Sequence, residues 1–189
     1  MSLWAIVPVK PLRRGKSRLS EILSEDERAQ LNHQLFVYTI EVLRQVESLS
    51  DILVVSRDSN VLTEAREMGV RTVTENGTPE LNNALLRASV FSKTFSTEGV
   101  LIVPADLPLL TPQDVMELLA KRTQAPMVVI APDRHRKGTN MLFVDPADLF
   151  PFSFGQESFD LHCALAKSKG ADVVVYENER IALDLDVPE

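Results

Sequence analysis

Short, continuous apolar runs alternate along the chain with longer segments in which apolar residues recur every three or four positions. The continuous runs predict strands that are buried on both faces of a sheet, and the periodic segments predict amphipathic helices. The predicted strands span 4–9, 51–56, 70–74, 99–105, 127–132, 140–144 and 171–176. The alternation predicts a three-layer α/β/α fold of Rossmann-like type, with a mostly parallel sheet and helices on both faces.

Two of the predicted helices have clear start signals. Ser24 followed by Glu27 forms a capping box that opens a helix over 25–47. Thr111-Pro112 combines an N-cap with a proline at the first helical position, and this helix is predicted to end near residue 121. Further helices are predicted over 59–68, 79–95 and 156–169. No repeat, low-complexity tract or linker interrupts the pattern, so we expect a single domain over 1–189.

Composition narrows the classes of function. The net charge of −7 and the pI near 5.1 argue against general nucleic-acid binding. No apolar run reaches the roughly 18 residues of a membrane span and no signal peptide precedes the first strand, so no membrane role and a cytoplasmic location are expected. The single cysteine excludes an intramolecular disulfide.

The first strand is followed by a loop that is rich in cations, at the end of the sheet where such folds bind ligands. It contains the string GKS at 15–17, but a Walker A loop needs glycine five residues earlier, where this chain has Lys10. The cations of the loop could neutralise a polyanion such as a triphosphate, or the loop could simply be a solvated basic surface. These cations are Lys10, Arg13, Arg14, Lys16 and Arg18.

Acidic residues suggest a metal site. The segment VLIVPADLPLLTP (100–112) brings Asp106 to the rim of the sheet between two prolines, where it could hold Mg²⁺ or merely cap the turn. Near the chain end, IALDLDVPE (181–189) alternates apolar and acidic residues, so Asp184 and Asp186 would share one side of an extended segment. They could meet a metal from the opposite wall, or form the solvated face of an edge strand.

Two segments suggest a pocket for a small anion. Gly138-Thr139-Asn140 is predicted to lie just before a strand, where it could line such a pocket or form an ordinary turn. Gly155 precedes a helix whose first turn carries Ser158, and helix N-termini bind phosphate and carboxylate groups. A plain helix start has the same composition. His162, one turn later on the same face, is interpreted as a packed or hydrogen-bonded helper.

A nucleobase could be recognised by the helix that is predicted to open at Thr78-Pro79. Its first turns carry Asn82 and Asn83, whose amides offer both donors and acceptors, although a polar helix start would look the same. No partners are identified for His33 and His135. No serine nucleophile elbow or zinc-type histidine spacing is present.

Seven of these segments occur in one order over the whole chain: VPVK…GKSRL, LSEDERAQL, LNNAL, VPADLPLL, KGTNML, FGQESFDLH and DLDVPE. As an ordered set they resemble the 2-phospho-L-lactate guanylyltransferase family of deazaflavin-coenzyme biosynthesis and its phosphoenolpyruvate-using relatives. The resemblance implies the fold of the nucleotide-diphospho-sugar transferases. It also implies transfer of GMP from GTP to a small phosphorylated acid, with release of pyrophosphate and with Mg²⁺ as cofactor.

The resemblance assigns roles to the candidate residues. Asp106 resembles the first metal ligand, and Asp184 or Asp186 resembles the second. Lys10, Lys16 and Arg18 resemble the residues that bind the triphosphate, and Asn82 resembles a residue that binds the nucleotide. Lys16, Arg18 and Asp106 are expected to act in catalysis. The phosphorylated acid is expected to bind to Thr139, Gly155 and Ser158.

One departure from the family and two alternatives stay open. This chain has Glu80-Leu81-Asn82 where the family usually has Gly-Leu-Asn, which puts the choice of guanine in doubt. A sugar phosphate or molybdopterin could replace the phosphorylated acid, or the protein could bind nucleotides without catalysis. Among acids, 2-phospho-L-lactate, phosphoenolpyruvate and 3-phosphoglycerate are not distinguished. An exposed sheet edge would permit a homodimer.

Overall fold

The computed structural model describes residues 2–185, and all seven predicted strands join one sheet in the order β3-β2-β1-β4-β6-β5-β7. The strands are β1 (Leu3–Pro8), β2 (Asp51–Ser56), β3 (Arg71–Thr74), β4 (Gly99–Ile102), β5 (Met127–Pro132), β6 (Thr139–Asp145) and β7 (Asp172–Val175). Every pair of neighbours is parallel except the two that involve β6. The prediction of a mostly parallel sheet is therefore confirmed.

The helices follow the predicted pattern with small shifts at their ends. They are α1 (Glu25–Arg44), α2 (Ser59–Glu67), α3 (Leu81–Lys93), α4 (Pro112–Ala120), α5 (Ser158–Ser168) and α6 (Glu179–Ala182), with a 3-10 turn at Ser17–Leu19. The capping box predicted at the start of α1 and the N-cap predicted at Thr111 are both present, and Thr111 also forms a capping box with Asp114. Among residues 2–185, no helix combines the length and the apolar character that crossing a bilayer requires.

The apolar strands separate two cores, one on each face of the sheet. One core packs α1, α2 and α4 against the strands through residues such as Phe36, Val61 and Leu118. The other core packs α3 and α5 through residues such as Leu85 and Phe159. Because the central strands are covered on both faces, their side chains are apolar without alternation, which explains the continuous runs in the sequence.

The structure departs from the sequence prediction at three places. Helix α3 begins at Leu81 rather than at Thr78-Pro79, because the Glu80 side chain accepts hydrogen bonds from the first free backbone N–H groups. β6 begins at Thr139, one residue before the predicted start of the strand, so Thr139 lies inside the strand rather than before it. The predicted extended segment at 181–189 begins instead with the last residues of α6, and no strand follows within the described part of it.

Candidate active site

The strand order creates a crevice in the middle of the sheet. β1 pairs with β2 on one side and with β4 on the other, so the chain leaves β1 in one direction and later returns to its other side. The loops that follow β1 and β4 therefore diverge at the carboxyl edge of the sheet, which is where open α/β sheets bind ligands. Because β6 runs antiparallel to β4, its first residues reach the same edge.

The loop after β1 is fastened to its surroundings through its backbone. The Leu12 N–H donates to the Asp58 carboxylate at 3.2 Å, and the Asn32 amide donates to the Leu12 carbonyl at 2.7 Å. Gly15 packs so closely that a Cβ atom there would lie 2.6 Å from Asn32 Nδ2. The next residue, Lys16, adopts a left-handed backbone with φ of 56°. Such a conformation is unfavourable for a residue with a side chain and is enriched at functional sites.

The cations of this loop are not equivalent. Arg13 is bound to Glu25 at 3.1 Å and to Asp26 at 2.9 Å, so its guanidinium is turned toward the start of α1. The side chains of Lys10 and Arg18 are exposed. The cations of this loop therefore fall into different classes. Arg13 forms surface ion pairs, whereas Lys10 and Arg18 have exposed side chains.

Lys16, Asp106 and Leu185 form a junction that joins three separate segments of the chain. The Leu185 N–H donates to the Asp106 carbonyl at 3.0 Å, and Lys16 Nζ donates to the Leu185 carbonyl at 2.5 Å. Asp184 precedes Leu185 and, like Asp106, is partly buried. The structure thus brings together the cationic loop, the PADLP turn and the residue that follows Asp184, and the metal-binding roles of Asp106 and Asp184 stay predictions.

The donors near this junction suit a hard divalent cation that is shared with a substrate. Mg²⁺ takes oxygen ligands, usually one or two carboxylates together with substrate phosphates. Within residues 2–185 no group of three or more acidic, histidine or cysteine side chains could hold a metal ion by itself. Asp106 and Asp184 lie on two segments that the backbone hydrogen bond from Leu185 to Asp106 joins, whereas Asp186 lies outside the described residues.

An ion pair between a buried carboxylate and a half-exposed guanidinium holds the tail in place. The guanidinium of Arg180, on α6, donates to both carboxylate oxygens of Asp114 at 2.5–3.0 Å. Asn178 donates to the same carboxylate at 2.8 Å, and Thr111 donates through its backbone and its hydroxyl. Because Asp114 lies on α4, directly after the Asp106 loop, this cluster links the two segments that carry the candidate metal ligands.

The Asp114 carboxylate is ionised over nearly the whole pH range. It is fully buried, and burial by itself raises its pKa. The hydrogen bonds from Arg180, Thr111 and Asn178 outweigh that effect and lower the pKa to about 2. The ion pair therefore stabilises the tail at any ordinary pH.

Thr139 and Ser158 meet beneath the start of α5. The Thr139 N–H donates to Ser158 Oγ at 2.9 Å, and Thr139 Oγ1 lies 3.0 Å from His162 Nδ1. All three residues are buried. Gly155, in the loop before the helix, is exposed and has φ of +136°, a backbone conformation that strongly favours glycine. The three residues predicted to bind the phosphorylated acid are therefore neighbours, and their role stays a prediction.

The N-terminus of α5 is partly occupied by the protein itself. The Ser158 N–H donates to the Gly155 carbonyl at 3.3 Å, and the Phe159 N–H donates to the Lys137 carbonyl at 3.0 Å. Two backbone donors that could meet an anion are thus already bonded.

Asn82 contacts this loop in the structure. Its amide nitrogen donates to the Phe154 carbonyl at 3.2 Å, and its amide oxygen accepts from the Phe154 N–H at 2.7 Å. Asn82 therefore ties the start of α3 to the segment that contains Gly155. Its role in binding the nucleotide stays a prediction.

A cleft of about 340 Å³ opens beside Asn82, between the end of β3 and the start of α3. Its lining is mostly polar and includes two carboxylates, and the residues are Glu75, Asn76, Thr78, Glu80, Asn83, Ala84 and Arg87. Glu80 is the residue that departs from the family pattern, and its carboxylate caps α3 by accepting hydrogen bonds from the Asn82 and Asn83 N–H groups. Asn83 rather than Asn82 faces this space.

Several contacts escaped the sequence analysis. His33, for which no partner was identified, lies 2.8 Å from the Glu64 carboxylate, and His135 Nε2 accepts from Arg134 at 3.3 Å. The Asn140 amide donates to the Ile181 carbonyl at 2.8 Å and so supports the end of α6. Glu64 is distant in sequence from His33, and Ile181 lies in α6, whose four residues are too few to show a period. Arg134 is the sequence neighbour of His135, and their contact depends on side-chain orientation.

Comparison with known proteins identifies the family. The family model for "Guanylyl transferase CofC like" proteins matches residues 3–189. The chain belongs to this family. It is 41% identical to the phosphoenolpyruvate guanylyltransferase of Rubrobacter xylanophilus over all of its length and 91% of that protein. It is 34% identical to the 2-phospho-L-lactate guanylyltransferase of Methanocaldococcus jannaschii, over all of this chain and 80% of that protein.

The fold assignment of this CofC-like protein agrees with solved structures. A crystal structure described as a putative nucleotide-diphospho-sugar transferase from Desulfovibrio desulfuricans superimposes with a TM-score of 0.75. The match covers 99% of this chain and 84% of that one at 17% identity, which bears on the fold alone. The predicted nucleotide-diphospho-sugar transferase type of fold is confirmed.

Proposed function

We propose that this CofC-like protein transfers GMP from GTP to a small phosphorylated acid and releases pyrophosphate. The observation that carries the proposal is the junction of Lys16, Asp106 and Leu185, where the loops that follow β1 and β4 meet the end of the described chain. It combines a cation, a carboxylate and the acidic tail at the point where a triphosphate and a second phosphorylated substrate would meet. The family membership and the names of both relatives support the same reaction.

In this reaction a phosphate oxygen of the acceptor attacks the α-phosphorus of GTP. The bond from the α-phosphorus to the bridging oxygen breaks, and pyrophosphate leaves with the electron pair. No protein nucleophile is required, so the chain contributes by positioning the reactants and by stabilising developing negative charge. Lys10, Lys16 and Arg18 would bind the triphosphate, with Lys16 and Arg18 stabilising the transition state.

Asp106 and Asp184, together with Asp186 beyond the described residues, would hold Mg²⁺. The bound ion would neutralise phosphate charge and align the two substrates. Thr139, Gly155 and Ser158 would bind the acid, because two hydroxyls and a glycine turn accommodate a compact anion. Glu75 and Asn83 of the polar cleft would face the base, with Asn82 beside them. A carboxylate suits guanine, whose base-pairing edge carries two adjacent N–H donors.

We propose phosphoenolpyruvate as the first acceptor to test, because the relative named for it is the more similar of the two compared. 2-Phospho-L-lactate is the second, since it carries the same phosphate and carboxylate on a saturated carbon. We also propose a role in deazaflavin-coenzyme biosynthesis, with which the family assignment is consistent, and a cytoplasmic location. The single domain over 1–189 and the homodimer stay predictions.

The test is release of pyrophosphate. The protein is mixed with Mg²⁺, with each of GTP, ATP, CTP and UTP, and with phosphoenolpyruvate, 2-phospho-L-lactate, 3-phosphoglycerate or a hexose 1-phosphate. We expect release with GTP and one of the phosphorylated acids. Release of pyrophosphate with only the hexose 1-phosphate would show that the acceptor is a sugar phosphate and not a phosphorylated acid. Binding of GTP without pyrophosphate release in any mixture would indicate a non-catalytic protein.

A further inference from the structure

His162 is enclosed in the acceptor region and has two polar contacts. It is fully buried, and its ring packs edge-on against Phe154 with centroids 4.7 Å apart. Nε2 lies 3.0 Å from the backbone nitrogen of Ser153, and Nδ1 lies 3.0 Å from Thr139 Oγ1. Burial lowers the pKa of His162 to about 4, so the ring is neutral at ordinary pH.

These contacts determine which nitrogen carries the proton. A backbone N–H can only donate, so the contact with Ser153 requires an unprotonated Nε2. A neutral imidazole has one N–H, which must then be on Nδ1. It follows that Nδ1–H donates to Thr139 Oγ1, and that this oxygen acts as an acceptor inside the protein.

The consequence is a defined direction for two hydroxyl groups. Thr139 Oγ1 accepts from His162, and Ser158 Oγ accepts from the Thr139 N–H. Among residues 2–185 the structure records no acceptor for either hydroxyl hydrogen. Both hydroxyls therefore have a hydrogen to offer to a ligand, and two adjacent donors favour an anionic acceptor such as a carboxylate or phosphate oxygen.

We propose that His162 is a positioning residue for the acceptor substrate, which acts through Thr139 by holding that hydroxyl as a hydrogen-bond donor toward the substrate's anionic group. This inference rests on the proposed function in that the ligand is the phosphorylated acid. His162 does not touch the substrate, the nucleotide or the reacting phosphate. Through Ser153 it also fixes the loop that contains Gly155.

Two substitutions of His162 separate its two contacts. H162N keeps an amide N–H near the place of Nδ1 but loses the acceptor for Ser153. H162Q keeps a carbonyl oxygen near the place of Nε2 but loses the donor to Thr139. We expect H162Q to raise the Kd for phosphoenolpyruvate about 10-fold and H162N to raise it less than about threefold. Binding is measured by calorimetry with Mg²⁺ present and without GTP, and the KM for GTP should stay within about twofold in both variants.

A double-mutant cycle tests whether His162 acts through Thr139. T139V removes the hydroxyl at nearly constant volume and should also raise the Kd about 10-fold. Once the Thr139 hydroxyl is gone, His162 has no hydroxyl to orient, so its loss should cost nothing more. T139V/H162Q should therefore bind phosphoenolpyruvate about as weakly as T139V alone. Independent effects that multiply to about 100-fold would overturn the proposal, as would equal losses in H162N and H162Q.

A spectroscopic measurement on the unsubstituted protein guards against variants that fail to fold. Long-range ¹H–¹⁵N correlation should show a neutral His162 with its proton on Nδ1, and a proton on Nε2 would overturn the proposal.

The proposed function and the role of His162 can fail separately. Phosphoenolpyruvate binding with the expected pattern but without pyrophosphate release would remove only the proposed function, whereas turnover that H162Q leaves unchanged would remove only the role of His162. If neither phosphoenolpyruvate nor 2-phospho-L-lactate binds, the anion site itself is wrong.

Discussion

The crevice has two sides that differ in how they could bind an anion. The loop after β1 presents long cationic side chains, of which Lys10 and Arg18 are exposed. The acceptor side presents the two short hydroxyls of Thr139 and Ser158, which are buried and bonded to the backbone or to His162. In the proposed function, the first side would bind its anion through charge and the second through fixed hydrogen-bond directions.

This difference matches the chemistry of the two proposed substrates. A triphosphate carries charge on many oxygens, so flexible cations can follow it as bonds break and form. A three-carbon acid is small, and closely similar acids can be distinguished only by groups whose positions are fixed. The cationic side should therefore tolerate changes of geometry, whereas the acceptor side should not.

The largest effect is expected where the two sides meet. Replacing Asp106 with Asn removes one charge at the junction and should lower kcat/KM by about 10²–10³-fold, because charge stabilisation would be lost in the transition state. The side chain is only partly buried, so the midpoint of thermal unfolding should change little. Steady-state pyrophosphate release and a melting curve test both expectations.

A matched control is Asp148→Asn. Asp148 also carries a partly exposed carboxylate, but it pairs with Lys93 on the surface and not in the crevice. Its replacement should leave kcat/KM within about twofold. Normal turnover in the Asp106 variant would disprove the metal role and would leave the acidic tail without its proposed partner.

The second effect concerns the Asp114–Arg180 pair that holds the tail. Since the pKa of Asp114 is lowered from 3.8 to about 2, Asp114→Asn should reduce the free energy of unfolding by about 2 kcal/mol at neutral pH. The tail should also loosen, which would raise the Mg²⁺ concentration needed for half-maximal activity. Urea denaturation and a Mg²⁺ titration measure the two consequences.

The same pair has a defined pH dependence. A carboxylate whose pKa is lower in the folded state stabilises above its unfolded pKa, so the contribution is complete above about pH 4. It should be lost as the pH falls from about 4 to about 2, and the stability difference between wild type and Asp114→Asn should shrink over that interval. A difference that stays constant down to pH 2 would show that the pair does not set the stability of this region.

Much of the fold was predictable because it is encoded locally. The seven apolar runs and the caps at Ser24 and Thr111 are visible in the sequence, and the structure confirms them. Strand direction is less visible in the sequence. Residues 133–138, which join β5 to β6, are too few for a parallel crossover, so these two strands must be antiparallel. The antiparallel β6 was thus encoded but was overlooked.

The supports of the candidate site were harder to predict. The role of Asp114 is not visible in the sequence, because its partner Arg180 lies far along the chain in a helix of four residues. The buried setting of His162 depends on Phe150 and Phe154, which approach it only after folding. Sequence motifs predicted which residues meet at the crevice, whereas the contacts that orient them arise from tertiary structure.

The smallest effect distinguishes individual cations within the loop after β1, which is proposed to bind the triphosphate. Lys16→Ala should lower kcat/KM for GTP about 10- to 30-fold, since a charge-assisted hydrogen bond to phosphate is lost. Arg13→Ala should change it less than about twofold, because that guanidinium is bound to Glu25 and Asp26 and is turned toward the start of α1. Both substitutions remove one positive charge, so each is the control for the other, and initial rates at two salt concentrations measure the difference. If both variants lose the same activity and both losses disappear at high salt, the loop acts as a diffuse basic surface. The proposed contrast between the two sides would then be one of charge density, without a specific role for Lys16.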